Sequence, residues 1–217
     1  MGWLKRTFGS TIGTKLLVGL SGLALIGFLV MHMAGNLFIY ADGGKGINAY
    51  AEGLHNIPGF TVIEIGLIAF FVLHIALTIR LTMANKAAKG TGYAVNATKR
   101  KEGIMGLLAS KTMALSGITV LVFLVVHIMD FRLKRDDGLE LDQLIFDTLS
   151  DPLHAALYIV GSLLVAWHVS HGLQSAFRSL GFNHPDLTPM LTKASTALAV
   201  LLGIGFASIP VWIAFFR

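Results

Sequence analysis

A chain of 217 residues that is 54% hydrophobic and only 13% charged, with a mean hydropathy of +0.71, cannot clothe a water-facing surface, which normally needs about a quarter of its residues charged. The absence of cysteine excludes disulfides, thiolate metal sites, cysteine-ligated iron–sulfur clusters and haem attached through a C-x-x-C-H motif. The formal charge of +5 collects between apolar runs, where membrane flanking accounts for it, so no nucleic-acid partner is expected.

Five stretches reach the roughly 20 apolar residues that a helix needs to cross a hydrocarbon core: Leu16–Tyr40, Phe60–Thr82, Thr112–Phe131, Leu153–Phe177 and Leu191–Phe216. None alternates polar with apolar residues as a barrel strand would. The expected fold is all-α and integral to the membrane, one domain over residues 1–217, with the first four helices forming a bundle.

The first span follows Lys5, Arg6 and Lys15. It is too long for a cleaved leader and lacks a small-residue cleavage site, so it reads as a retained helix. It carries Ser21-Gly22 and then Phe28-Leu29-Val30-x-His32. The second span follows Pro58 and contains Glu64, Gly66 and His74, with Arg80 at its end. A basic stretch comes next, with Lys86, Lys89, Lys99, Arg100, Lys101 and Lys111. The third span repeats the first: Ser116-Gly117, then Phe123-Leu124-Val125-x-His127. In both, serine precedes histidine by eleven residues and phenylalanine precedes it by four. Asp130 closes this span, and an acidic loop follows with Asp136, Asp137, Glu140, Asp142, Asp147 and Asp151. The fourth span echoes the second, since Pro152 precedes His168 by sixteen residues as Pro58 precedes His74. Gly161 matches Gly66, and the span ends at Arg178. The excess of Lys and Arg on alternate loops places the N-terminus and the 83–110 loop in the cytoplasm and the C-terminus outside.

Depth follows from the helical rise. His32 and His127 lie about 24–26 Å beyond Lys15 and Lys111, near the outer side. His74 and His168, on helices running the other way, lie past mid-membrane toward the cytoplasm. The four form two pairs at two depths, His32 with His127 and His74 with His168. A lone intramembrane histidine often just hydrogen-bonds across a bundle. Four on successive helices, matched in depth, fit bis-histidine ligation of two b-type haems between facing helices. Ser21 and Ser116 stand roughly 16 Å inward of the histidine on their own helix, about level with the inner pair. There they are placed to bond a porphyrin rim, with Gly22 and Gly117 making room; close helix packing would use the same small residues. His171 lies one turn from His168 on the same face. Depth measured from Pro152 favours His168 as ligand, and depth measured from Arg178 favours His171. Arg80 and Arg178 are candidate partners for haem propionates, or interfacial anchors. His55 and His184 read as solvated loop residues. A proton or metal transporter would set acids beside its histidines, yet the helix cores hold no Asp, Glu or Lys.

The pattern Ser21-Gly22…Phe28-Leu29-Val30-x-His32-x-x-x-Asn36, then His74, His127-x-x-x-x-Arg132 and His168-x-Ser170-x-Gly172-Leu173, resembles the two-haem cytochrome b subunit of succinate dehydrogenases and fumarate reductases. The resemblance covers nearly the whole chain and favours His168 over His171. It implies a multi-pass subunit of a bacterial cytoplasmic membrane that anchors a flavoprotein (FAD) subunit and an iron–sulfur subunit on the cytoplasmic face. Asn85–Ser110 and residues 179–190 would form the docking surface. His74 and His168 would hold the proximal haem, and His32 and His127 the distal one. Electrons would pass between a membrane quinone, menaquinone, and the iron–sulfur subunit through both haems. No dicarboxylate chemistry would reside in this chain. Glu64 and Asp130 are the polar groups nearest the distal level and the candidates for the quinone site. Some relatives carry a carboxylate beside the proximal ligand of helix 4. Here Ala166, Trp167 and Val169 stand there, which puts a compensating transmembrane proton path in doubt. Haem b subunits of other membrane dehydrogenases and hydrogenases differ in helix count and ligand placement.

Overall fold

The computed structural model describes Gly2 and residues 9–88, 104–134 and 140–217, with the side chains of residues 88 and 104–112 outside the description. Lys5, Arg6, Lys89, Lys99, Arg100, Lys101, Asp136 and Asp137 therefore lie outside the described residues, as do the Lys111 side chain and most of the 85–110 docking stretch.

Helix α1 (Thr11–Asn36) begins where Ser10 Oγ accepts from Gly13 N at 3.0 Å, satisfying one of the N–H groups that a first turn leaves orphaned. It ends four residues before the expected boundary, in a distorted 3₁₀ stretch, Leu37–Gly44, where Asp42, Gly43 and Gly44 take φ of 49°, 66° and 113°. Gly44 tolerates no side chain: besides its left-handed backbone, a Cβ would lie 2.6 Å from the Phe146 ring,. The chain reverses there into a short helix, α2 (Lys45–His55). Then come α3 (Phe60–Ala88) and α4 (Ile104–Ile128), the latter prolonged by a π-helical turn, Met129–Leu133. A second short helix, α5 (Leu141–Ser150), precedes α6 (Pro152–Ser179) and α7 (Leu187–Phe216). Asp151 caps α6 by accepting from His154 N at 2.9 Å, and Pro152 occupies the first turn, where its missing N–H costs nothing,. Among the described residues there is no strand, and five helices are long and apolar enough to cross a membrane. His55 is the last residue of α2 rather than a loop residue.

The long helices pack as a square with one side missing. α1 packs on α3 and on α6, and α6 packs on α4. Among the described residues, α3 and α4 have at most marginal contact, as do the diagonal pairs α1–α4 and α3–α6. α7 lies outside the square, chiefly against α6. Met33, Val169 and Leu202 knit α1, α6 and α7 together. None of the described residues of α3 is buried, and Val62 and Met83 are 71% and 66% exposed. Such a helix needs hydrocarbon, not water, as its solvent, with all its backbone bonds made internally.

The short helices close one end of the square. α2 and α5 are amphipathic and turn Ile47, Ile145 and Leu149 onto Ile39, Tyr158, Ile209 and Ile213. Asn48 and Asp142 join them reciprocally: Asn48 Nδ2 donates to Asp142 Oδ1 at 2.9 Å, and Asp142 N donates to Asn48 Oδ1 at 2.9 Å. This is the capped end. Lys15, Arg80 and Arg178 mark the other, basic end.

Candidate functional site

The two histidine pairs lie on the diagonals of the square. His74 of α3 and His168 of α6 form the pair nearer the basic end. His74 Nδ1 is 3.1 Å from Ser21 Oγ of α1, and His168 Nδ1 is 3.0 Å from Ser116 Oγ of α4. Serine and histidine therefore stand at one level in each half of the repeat, and both serines serve imidazoles of the neighbouring helix. The glycines complete the seats. A Cβ on Gly22 would come 3.3 Å from His74 Cε1, and one on Gly117 would come 3.6 Å from His168 Cε1. Of the two candidate ligands on α6, His168 is the one bonded to the repeat's serine.

His32 of α1 and His127 of α4 meet nearer the capped end, their ring centroids 5.7 Å apart and their planes at 88°. Aromatic rings surround them. Phe28 stacks on His32 at 5.1 Å, and Phe206 approaches at 5.8 Å. Phe123, Phe131 and Tyr158 lie 6.2, 5.5 and 6.1 Å from the His127 ring. Phe123 gains its place from Gly161, where a Cβ would collide with that ring. The repeated phenylalanine four residues before each histidine is thus a stacking wall.

The spacing of the His32–His127 couple suits a haem iron. Two metal–imidazole bonds of about 2 Å each separate the ring centroids of a bis-histidine couple by about 6 Å, close to the outer pair's spacing. The donors come from helices whose backbones stay apart along the diagonals, and α3 and α4 leave the fourth side of the square without close packing among the described residues. Neutral nitrogen donors in an apolar bundle match the ligation of b-type haem. Among the described residues no cluster of three or more His, Asp or Glu side chains is suited to a bare metal ion.

Arg80 Nη2 donates to the Gly9 carbonyl at 2.7 Å, tying α3 to the chain entering α1; Arg178 stands in the last turn of α6. Glu64 forms an ion pair with Arg132 at 3.6 Å, linking α3 to the turn after α4. Asp130, by contrast, is 4% exposed. Its Oδ1 accepts from Lys134 Nζ at 2.7 Å and its Oδ2 from the Tyr158 hydroxyl at 3.1 Å. His154 Nε2 lies 4.0 Å from that same oxygen, and His154 Nδ1 lies 2.7 Å from Asp151 Oδ2. The hydrogen bonds from His154 hold the Asp151 carboxyl below the usual carboxylate range,. A buried acid beside the outer pair is thereby linked to an acid at the bundle's edge. His154 goes unmarked by depth or repeat; the local sign for it is Asp151 three residues earlier, the spacing of a capped first turn.

No family model and no solved structure matches this chain. Among curated proteins it is similar to the succinate dehydrogenase cytochrome b558 subunit of Bacillus subtilis (strain 168), at 26% identity over 184 residues, 83% of each chain. That likeness agrees with the family to which the sequence motifs point.

Proposed function

We propose that this chain is the two-haem cytochrome b subunit of a succinate dehydrogenase or fumarate reductase. It anchors the complex in a bacterial membrane and relays electrons between quinone and the iron–sulfur subunit. The observation that carries the reading is four histidines on the diagonals of one bundle, His32 and His127 meeting at 5.7 Å and His74 and His168 seated alike against the repeat's serines. Relatedness to a cytochrome b558 subunit over most of the chain supports it.

His74 and His168 hold the proximal haem and His32 and His127 the distal one; bound haem iron supplies reversible one-electron chemistry. The chain's residues do the rest. Phe28, Phe123 and Phe206 exclude water from the distal imidazoles, and the serine–glycine seats orient the proximal ones. The basic end faces the cytoplasm, where the flavoprotein and iron–sulfur subunits dock, and the capped end faces outward. Quinone, menaquinone in this reading, reacts near the distal pair. Asp130 holds the proton exchanged with it, while His154 and Asp151 connect Asp130 to the outer surface. Tyr158 orients the carboxylate by donating to Oδ2. Glu64, paired with Arg132, serves the same rim less directly. Succinate or fumarate never meets this chain.

A reduced-minus-oxidised visible spectrum of the purified complex, with haem quantitation, tests the reading. About two b haems per chain are expected. A complex without b haem would overturn it.

A further inference from the structure

We propose that Ser21 and Ser116 are positioning residues that fix the tautomer of the proximal ligands, keeping hydrogen on Nδ1 of His74 and His168 and leaving Nε2 to bind iron. The inference rests on the two-haem reading and goes beyond it, because haem ligation alone does not say what aims the imidazoles.

The bookkeeping of hydrogens carries it. A serine hydroxyl has one hydrogen to donate and two lone pairs to accept with. Ser21 Oγ lies 3.1 Å from the Val18 carbonyl and 3.1 Å from His74 Nδ1. Ser116 Oγ lies 3.0 Å from the Met113 carbonyl and 3.0 Å from His168 Nδ1. A carbonyl oxygen only accepts, so its contact with the serine oxygen is a hydrogen bond only when the hydroxyl hydrogen goes to it. Nδ1 must then donate to the serine oxygen, giving a directed chain: Nδ1–H to Oγ–H to O=C. With Nδ1 protonated, the neutral ring's lone pair resides on Nε2. Nε2 also points away from the seat, for a Cβ on Gly22 would have only Cε1 and Nδ1 of His74 within 4 Å.

The device occurs twice, at equivalent places in the repeat, and both times at the proximal level. Among the described residues no side chain hydrogen-bonds the rings of His32 or His127; Phe28 stacks on His32, and Phe123 lies tilted against His127. A hydrogen-bonded Nδ1–H makes an imidazole a stronger donor to its metal, and losing such a partner typically weakens metal binding about 10–100-fold.

The test uses the assembled membrane complex carrying Ser21→Ala, Ser116→Ala or both. Expected is proximal haem that is lost about 10–100-fold more readily than in the unsubstituted complex when apomyoglobin is added as a haem acceptor. The midpoint potential of whatever proximal haem remains should rise, because its ligands donate less. Distal haem should keep its retention and potential. Ser195→Ala is the control: Ser195 is buried and bonds only the Leu191 carbonyl of its own helix, and its loss should spare both haems. Unchanged retention and potential in the double variant, or equal loosening of both haems, would overturn the proposal. Should the alanine variants not assemble, the native complex decides. Hyperfine spectroscopy after transfer to deuterium oxide should find the proximal Nδ1 protons slower to exchange than the distal ones, and equal exchange refutes it. A native complex with no b haem defeats the two-haem reading itself, a different outcome from either.

Discussion

The inner and outer histidine pairs occupy the same bundle and come from the same repeat, yet they are held by different forces. Around His74 and His168 the neighbours are small and polar: a serine to bond each ring and a glycine to admit it. Around His32 and His127 they are large and apolar, with phenylalanines supplied by α1, α4 and α7. The first arrangement fixes the rotation and protonation of a ring and leaves the surrounding space slim. The second fixes its plane and keeps water away. One residue type, repeated, thus receives two supports, and among the described residues the outer one adjoins a buried acid, Asp130, that meets a tyrosine and a histidine.

Four groups of substitutions would break or sharpen that contrast. The largest effect belongs to the ligands. His74→Ala or His168→Ala should take the haem content from about two to about one per chain and leave the distal spectrum intact. His32→Ala or His127→Ala should do the converse. His171→Ala should keep both haems, and a full spectrum in His168→Ala instead would transfer the assignment to His171. Next comes Asp130→Asn, expected to slow quinone turnover about 100-fold with haem content unchanged, within the usual range for removing a general acid–base; normal turnover would dismiss Asp130 from the quinone site. The glycines come third. Gly22→Ala should loosen proximal haem several-fold, because its Cβ would press on His74 at 3.3 Å, whereas Gly117→Ala, at 3.6 Å, should sit in ordinary contact and change little. Equal behaviour of the two would mean that the seats are not tuned. Smallest is Asn48→Ala, which removes the clamp between α2 and α5 and should cost about 1 kcal/mol, seen as a Tm lower by a few degrees with both haem spectra preserved.

Much of this architecture was readable beforehand because a membrane simplifies the grammar of a sequence. Long apolar runs declare helices, and a polar residue inside one has to justify itself. Depth arithmetic brings Ser21 level with the inner histidines, and the structure sets it against His74. The serine's partner was harder to foresee. A porphyrin rim and an imidazole lie at the same height, and only side-chain direction distinguishes them. The short helices α2 and α5 escaped for another reason. Their ten or eleven residues hold too few apolar positions to register as spans, and their amphipathic faces gain meaning only over the Tyr158–Ile209–Ile213 surface that they cover. Asp130 shows the same limit. By position it resembles a solvated helix end, but the π-helical turn at Met129–Leu133 swings it inward to Tyr158. His154 depends on both of these tertiary accidents.

The missing side of the square has a bearing on how such a chain is built. α1 with α3, and α4 with α6, are antiparallel hairpins that can enter a bilayer one after the other, each carrying one half of both histidine couples. Little beyond the Glu64–Arg132 ion pair joins α3 to the α4 side, so in the two-haem reading porphyrin would be a keystone, closing an arch that protein contacts leave ajar. On that reading cells short of haem should accumulate a chain whose α3 is held mainly by α1, a ready target for membrane proteases, and the abundance of the whole complex should follow haem supply.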